Sequence, residues 1–388
     1  MARRKPRILL KHKLLCFLWV LTICMIYVLH VTYLTTNKIK LRLNGGNQSK
    51  ILIYSEVLPS IVRNRLKTGF NGKQCPNCML VEEFYTDYDT RDFDAFVFIF
   101  NRVNLADPVF TKRLPHQLFV WYSPESTSSV RYTHQYTMEN YDDVFNLTMT
   151  YRLDSDVWTP YGTLPEVKSK LLQKFPSLTA DTLNEVLREK KSLLVWVASN
   201  CGFTVGAKLR LEIVDTLNHS AIGDRLDVYG QCGNLKAFEN TEKGFQEMHK
   251  VIRSYKFYLA LENSYHCRDY ITEKFWENSL LNAAVPIVWG PTKEDILKVA
   301  PAGSFIHMDD FTSIAELADY LVYLDRNDTA YKEYFSWWFK PSGNLEPVGL
   351  CKLCSILNDK TRKPQTVQNL ESWFYQNDHY DCLNHNKP

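Results

Sequence analysis

Between residues 192 and 290 the chain repeats one pattern, and that pattern restricts the fold more than any other feature. "SLLVWVASN" (192–200) is an apolar run that ends in polar residues. "VGAKLRLEIVDTL" (205–217) follows, with Val205, Leu209, Ile213 and Leu217 four apart, the spacing of an amphipathic helix face. "LDVYG" (226–230) and "KFYLALENS" (256–264) are two more apolar runs, "ITEKFWENSLLNA" (271–283) reads as a helix, and "AVPIVWG" (284–290) is a fourth run. Strands alternating with helices predict a parallel sheet, and such sheets take ligands in the crevice beyond the carboxyl ends of their strands. The polar burst "ENSYHCRDYITEK" (262–274) falls at that edge. A helix starting near Thr272 would offer its first N–H groups and its dipole to an anion, with Lys274 adding a positive charge.

A chain of 388 residues buries enough for two domains. Ahead of the second sheet, "ILIYSEV", "DAFVFIF" (94–100) and "HQLFVWYS" (116–123) predict strands of a first α/β domain, and a charged helix-forming stretch over 164–191 separates the two. No Gly-x-Gly-x-x-Gly and no Gly-x-x-x-x-Gly-Lys-Ser/Thr occurs, which argues against a dinucleotide dehydrogenase or a P-loop enzyme. Aromatic residues make up 13% of the chain, a content that suits sugar-handling surfaces but equally fills cores.

The amino terminus is of another kind. Residues 14–34, "LLCFLWVLTICMIYVLHVTYL", contain no Lys, Arg, Asp or Glu. A helix of that length, rising about 1.5 Å per residue, spans a bilayer core of about 30 Å. A cleaved signal peptide has a shorter apolar region, about 7–15 residues, and ends at small residues. The uncleaved anchor is the better reading. Arg3, Arg4, Lys5, Arg7, Lys11 and Lys13 precede it with no acid, so this tail stays cytosolic and the remainder is lumenal, a type II topology. Without that basic tail the net charge of +3 becomes −3, a poor balance for binding nucleic acid.

A lumenal setting agrees with sequons at Asn47, Asn146, Asn218 and Asn327. It agrees also with eight cysteines after the anchor: Cys75, Cys78, Cys201, Cys232, Cys267, Cys351, Cys354 and Cys382. An even set in an oxidising compartment predicts disulfides. Cys75-Pro-Asn-Cys78 and Cys351-Lys-Leu-Cys354 also have zinc-ribbon spacing, but they lie far apart and lumenal thiols oxidise. Paired with each other, they would staple the carboxyl-terminal tail to the first domain.

"FYLALENSYHCRDYITEKFWENSLLNAAVPIVWG" resembles the donor-binding signature of the α1,3-fucosyltransferases, Golgi type II enzymes. The likeness continues in "FNLTMTYRLDSDVWTPYG", "LVWVASN", "DVYGQCG" and "PAGSFIHMDDF" and covers most of the chain after about residue 50. It implies the GT-B fold, two Rossmann-like domains facing a cleft. Laid on this chain it implies a cytosolic tail (1–13), an anchor (14–34), a stem (35–49), an acceptor-binding domain (50–175) and a linker (176–191). A GDP-fucose-binding domain (192–345) and a tail packing back on the first domain (346–388) complete the chain.

The resemblance also implies site residues. Asn263, Tyr270, Glu273 and Lys274 would contact GDP-fucose, Glu273 at sugar hydroxyls and Lys274 at the pyrophosphate. Where the family has a diphosphate-binding Arg after the "SN" strand, this chain has Lys208 at the nearest position and Arg210 two residues on. Glu125 in "FVWYSPESTSSV" aligns with the catalytic base, and Thr127 stands where the family motif has Pro. An inverting transfer needs one such base and no strong acid, because GDP leaves readily once its charge is stabilised. Asp154-Ser-Asp156 looks like a metal-binding Asp-x-Asp of another transferase architecture, but the resemblance makes it structural, with Arg152. No cofactor is then required, and a divalent cation is at most stimulatory. The acceptor would be an N-acetylglucosamine in a lactosamine antenna or an N-glycan core; "IFNRVNLADPVFTKRLPHQ" (99–117) does not match the Lewis-type enzymes closely and leaves both open. The contrasting reading is a non-catalytic Golgi protein that keeps the fold and binds glycans or nucleotide-sugar.

Overall fold

The computed structural model describes residues 21–29, 48–55, 60–67, 70, 75–81, 89–175, 177–341, 343, 346–375 and 382. Residues 21–29 form an exposed helix, and among the described residues no helix is long and apolar enough to cross a membrane. The rest of the expected anchor, the basic tail, most of the stem and Asn47 lie outside the described residues.

Two parallel sheets organise the chain. The first contains β1 (Ser49–Tyr54), β2 (Cys78–Val81), β3 (Ala95–Ile99), β4 (Leu118–Ser123), β5 (Leu147–Thr150) and β6 (Val157–Trp158), in the order β2-β1-β3-β4-β5-β6. The second contains β7 (Ser192–Val197), β8 (Leu226–Tyr229), β9 (Tyr255–Leu261), β10 (Val285–Trp289) and β11 (Ile306–His307), in the order β11-β10-β9-β7-β8. Central strands such as β3, β4 and β10 are buried along their whole length, so they read as unbroken apolar runs rather than alternating ones. In the second sheet the chain moves outward from β7 to β8, then returns to the other side of β7 as β9. That reversal opens a crevice at the carboxyl ends of β7 and β9, where a ligand is expected.

The helix Val205–Asn218 begins at this crevice. The Thr204 hydroxyl caps it by accepting from the Ala207 amide at 3.1 Å. Its buried face carries Gly206, Ala207, Arg210, Val214 and Leu217. The expected stripe is corrected at its start: Val205 is exposed, and Leu209 and Ile213 are half-buried. The cause is a close approach, since a Cβ on Gly206 would come within 2.5 Å of the Asn263 backbone. The helix therefore abuts the loop after β9 through its glycine edge.

Helices Leu164–Lys174 and Ala180–Arg188 connect the sheets, and Val167, Leu171, Leu183 and Val186 pack into the second core. After the second sheet the chain crosses back. Leu350, Leu353, Leu370 and Phe374 lie in the core of the first sheet. Disulfides Cys75–Cys351 and Cys78–Cys354 join β2 and the segment before it to the helix Gly349–Asn358, so the sulfurs of both CxxC motifs are paired. Cys201–Cys232 ties the loops after β7 and β8, and Cys267–Cys382 ties the loop after β9 to the carboxyl-terminal tail.

The sequons separate by environment. Asn218 is exposed, and Asn327 caps the helix Asp328–Glu333 with its Oδ1 while its Nδ2 donates to the Tyr323 hydroxyl at 3.0 Å. Asn146 is the sequon whose environment opposes glycosylation. Its side chain is buried, its Oδ1 accepts from the Phe119 amide at 2.8 Å and from Arg113, and its Nδ2 donates to the Gln365 carbonyl at 2.8 Å. The expected result is no glycan at Asn146, read by site-resolved mass spectrometry before and after N-glycosidase. Asn146→Ala is expected to lower stability by about 2–3 kcal/mol in denaturant titration, because it strands buried backbone groups.

Lys190, just before β7, gives a pH-dependent term. Its ammonium donates to the carbonyls of Arg253 and Asn282, both at 3.0 Å. Burial, assisted by the nearby Arg253 charge, lowers its pKa from 10.5 to about 7. Below that pH both folded and unfolded chains hold the proton, and the cost of the buried charge is fully present. Above it the folded chain releases the proton first, so the unfolded chain binds more and stability rises with pH up to about 10.5. Thermal unfolding across this window should show a rise that Lys190→Met removes.

Candidate active site

β9 ends in Leu261, and the next residue, Glu262, remains almost fully buried. A buried carboxylate must be satisfied, and here the loop folds back to do it. The Thr272 amide donates to Glu262 Oε1 at 2.8 Å, its hydroxyl lies 2.7 Å from the same oxygen, and Lys274 Nζ lies 3.1 Å from Oε2. Lys274 also donates to the Thr272 hydroxyl at 2.8 Å and to Glu273 Oε1 at 3.0 Å. Its three N–H groups thus have three internal acceptors. Burial alone would lower the Lys274 pKa, but Glu262 and Glu273 outweigh it and the net shift is upward. Burial pushes the Glu262 carboxyl up, against Lys274 and the Thr272 hydrogen bonds.

This corrects the expected helix at Thr272. The chain instead forms a six-residue π-helical turn, Lys274–Ser279, followed by a 3-10 turn. The Thr272 amide is already occupied by an internal anion, Glu262. The first-turn N–H groups that face the β7–β9 crevice belong to the helix Val205–Asn218.

The two basic residues of that helix have different environments. Arg210 is buried, donates to the Leu261 carbonyl at 3.0 Å and the Asn200 carbonyl at 2.7 Å, and lies over the Trp196 ring. Burial lowers its pKa, with Glu262 the first of several groups acting the other way. It clamps the ends of β7 and β9 together. Lys208 is exposed in the first turn, above Gly202. The Asn200 side chain shapes that loop by accepting from the Phe203 amide at 2.9 Å.

Asn263 is half-buried, and its carbonyl accepts from the Thr204 hydroxyl at 2.6 Å, fixing the donor-motif loop to the helix cap. The Glu273 side chain is 37% exposed, enough to meet a ligand. The structure places Tyr270 inside the wall rather than on its surface. It is buried, edge-on to Tyr151 at 4.9 Å and Tyr161 at 5.9 Å. Burial pushes its phenol well above the usual value, and Tyr161, Glu125 and Glu262 add to the effect.

The loop after β4, which carries Glu125, reaches the loop after β9. The Ser126 and Ser264 hydroxyls are hydrogen-bonded at 2.5 Å across the two domains. Pro124 accepts from the Tyr161 hydroxyl at 2.6 Å, and the Glu125 carbonyl accepts from Ser123 at 3.2 Å. These bonds hold the loop's backbone. The Glu125 side chain is partly exposed, and among the described residues no side chain forms a hydrogen bond or ion pair with its carboxylate.

The two acids of Asp154-Ser-Asp156 diverge. Asp154 pairs with Arg152 and with Arg268 of the donor-motif loop, both at 2.8 Å. Asp156 accepts from the Thr148 amide and hydroxyl, both at 2.8 Å. Arg152 is fully buried and donates to the carbonyls of Trp373 and Phe374, tying in the tail. Sequence reading missed Thr272 and Tyr161 as partners, and it missed the Ser126–Ser264 and Asp154–Arg268 bridges. Only Asp154 and Glu262 carried a local signal, as charges at strand ends.

The fold and site define a class: an α/β protein of two parallel sheets whose carboxyl-edge loops meet around a ligand crevice. Comparisons with known proteins narrow it. The family model "Glycosyltransferase family 10 (fucosyltransferase) C-term" matches residues 187–373, and "Fucosyltransferase, N-terminal" matches residues 46–162. The chain belongs to the glycosyltransferase family 10 fucosyltransferases.

Among similar proteins, the 3-galactosyl-N-acetylglucosaminide 4-alpha-L-fucosyltransferase FUT3 of Bos taurus is 37% identical over 68% of this chain and 64% of its own length. Alpha-(1,3)-fucosyltransferase 4 of Homo sapiens is 37% identical over 68% of this chain and 46% of its own length. The matches thus span about half to two-thirds of those relatives. A crystal structure of an alpha1,3-fucosyltransferase with GDP-fucose shares the fold, with a TM-score of 0.51 and 16% identity over 82% of this chain and 93% of the other. A second, with GDP, has a TM-score of 0.52 and 17% identity over 82% and 92%.

Proposed function

We propose that the chain is an inverting α1,3-fucosyltransferase of GT-B arrangement. It moves L-fucose from GDP-fucose to the 3-hydroxyl of an N-acetylglucosamine in a glycoprotein or glycolipid glycan. The observation that carries this reading is the meeting of the Glu125 loop with the donor-motif loop through Ser126 and Ser264, in a chain of this family.

In this mechanism the donor lies in the β7–β9 crevice, its diphosphate against the Val205–Asn218 helix terminus and Lys208. Arg210 holds the crevice walls and does not reach solvent. Lys274 acts at the diphosphate by exchanging its bond to the exposed Glu273 for a phosphate oxygen, while Glu262 keeps the ammonium oriented. Glu273 then turns to sugar hydroxyls, and Asn263 adds an amide. Glu125 removes the acceptor proton as the acceptor oxygen bonds to the fucose anomeric carbon. The bond to GDP breaks on the opposite face, which inverts the configuration. Cations at the diphosphate favour the departing charge over the bound ground state, so they act on turnover as well as binding.

No metal takes part in this scheme, and EDTA should leave turnover within about twofold, measured against behaviour in which metal removal abolishes it. Complete loss that a divalent cation reverses would reject the metal-free scheme. The proposed setting is the Golgi membrane, with the carboxyl-terminal bulk in the lumen, and fluorescence protease protection in intact cells would test it.

The activity test incubates the full chain with GDP-fucose and a mixture of lactosamine and N-glycan core acceptors, reading product mass and linkage. One deoxyhexose gained in α1,3 linkage supports the reading and names the acceptor. GDP binding without transfer to any acceptor would favour a non-catalytic glycan- or nucleotide-sugar-binding protein.

A further inference from the structure

We propose that the Cys267–Cys382 disulfide is a positioning strap for the base loop, with the Thr127 and Ser128 hydroxyls docked on its two sulfurs. The inference rests on the reading of Glu125 as the base and names what holds that residue in register with the donor.

Cys267 is buried in the middle of the donor-motif loop, and its disulfide brings Cys382 of the tail alongside in an antiparallel bridge. The Thr127 hydroxyl lies 2.9 Å from Cys382 Sγ, and the Ser128 hydroxyl 3.5 Å from Cys267 Sγ. A disulfide sulfur has no proton, so the Thr127 hydroxyl is the donor. Thr127 is itself buried and lies two residues after Glu125, whereas the Tyr161 bond to Pro124 lies one residue before it. The loop is therefore gripped before Glu125 by Tyr161 and after it by Ser264 and the disulfide.

The donor-motif loop needs such a grip as well. His266 and Asp269, which flank Cys267 on either side, both have left-handed backbone, with φ of 47° and 57°. Neither is glycine; His and Asp enter that conformation more readily than most side chains, yet still at some cost in backbone strain. One covalent bond thus fixes the donor loop and presents two sulfurs to the base loop.

A hydroxyl on sulfur is a weak hydrogen bond, so losing it should cost little stability. A catalytic base displaced by about 1 Å can lose about two decades of rate. Turnover should therefore respond more than folding.

The test uses the full chain with Thr127→Val, Thr127→Ser, and the pair Cys267→Ala with Cys382→Ala. Thr127→Val should lower kcat about tenfold while GDP-fucose KM and GDP Kd stay within about twofold, since the change removes one contact to the base loop. Thr127→Ser, which keeps the hydroxyl, should retain turnover. In the cysteine double variant Thr127→Val should cause no further fall, because partners in one network are not additive. Amide hydrogen exchange over residues 124–130 should quicken in both Thr127→Val and the cysteine variant. Unchanged exchange there would overturn the strap whether or not the chain transfers fucose. With a transferring chain, unchanged kcat in Thr127→Val, additive losses, or an equal loss of GDP affinity would also overturn it. Activity that Glu125→Gln leaves intact would instead overturn the assignment of the base.

Discussion

Glu125→Gln is expected to lower kcat by about 10³-fold, within the 10²–10⁴ that a positioned acid or base contributes. GDP-fucose KM and GDP affinity should stay within about threefold. The substitution preserves shape and removes only the ability to take a proton. The fold has little stake in the carboxylate: Ser123, Tyr161 and Ser126 hold the loop by backbone and neighbouring side chains. A fall in turnover with donor binding intact therefore isolates the proton transfer. Unchanged turnover would remove Glu125 as the base and leave the crevice without an assigned one. A comparable loss of GDP affinity would mean that the carboxylate orders the donor side of the site through Tyr270, whose phenol feels its charge.

The strands that frame the crevice were legible because they are buried on both faces. β7, β9 and β10 appear in the sequence as apolar runs bounded by polar residues. β11 is two residues long and carries no pattern to read. The helix expected from Ile271 is present from about Glu273 but wound as π and 3-10 turns rather than as an α-helix, for a different reason. Its π-helical turn is closed by Ser279, whose hydroxyl donates to the Lys274 carbonyl at 2.6 Å, and by the bond between Thr272 and Glu262. Neither bond leaves a periodic trace. Asn146 shows the converse, a local motif overruled by tertiary burial, since a sequon says nothing of the Gln365 carbonyl that occupies its amide. The CxxC pairs were readable as disulfide candidates from their even count and the lumenal setting expected of the chain, while the partner of Cys267 depended on where a distant tail returns.

Lys274→Ala should act on both stability and donor binding, and the structure allows the two to be separated. The ammonium is the counter-ion of Glu262, a carboxylate only 2% exposed. Removing one partner of a buried pair costs about 3–5 kcal/mol when the other stays ionised. Burial already pushes the Glu262 carboxyl up, and loss of Lys274 removes the positive charge that most opposes that shift. In the variant Glu262 will then hold a proton in the folded chain at a pH where the unfolded chain has released it. The folded state binds more protons across that interval, so the stability of the variant falls as pH rises above about 4.5 and the gap from the unsubstituted chain widens. Urea titrations at acid and neutral pH would read this directly; equal losses at both would reject the pairing as the source of the defect. Adding Glu262→Gln removes the orphaned charge while an amide oxygen still accepts from Thr272, and it should restore most of the stability. If Lys274 also grips the diphosphate, GDP affinity in the double variant should remain at least tenfold weak, the worth of one charge-assisted contact of about 1.5–3 kcal/mol. Recovery of GDP affinity together with stability would confine Lys274 to holding the loop and leave Lys208 as the cation that meets the donor.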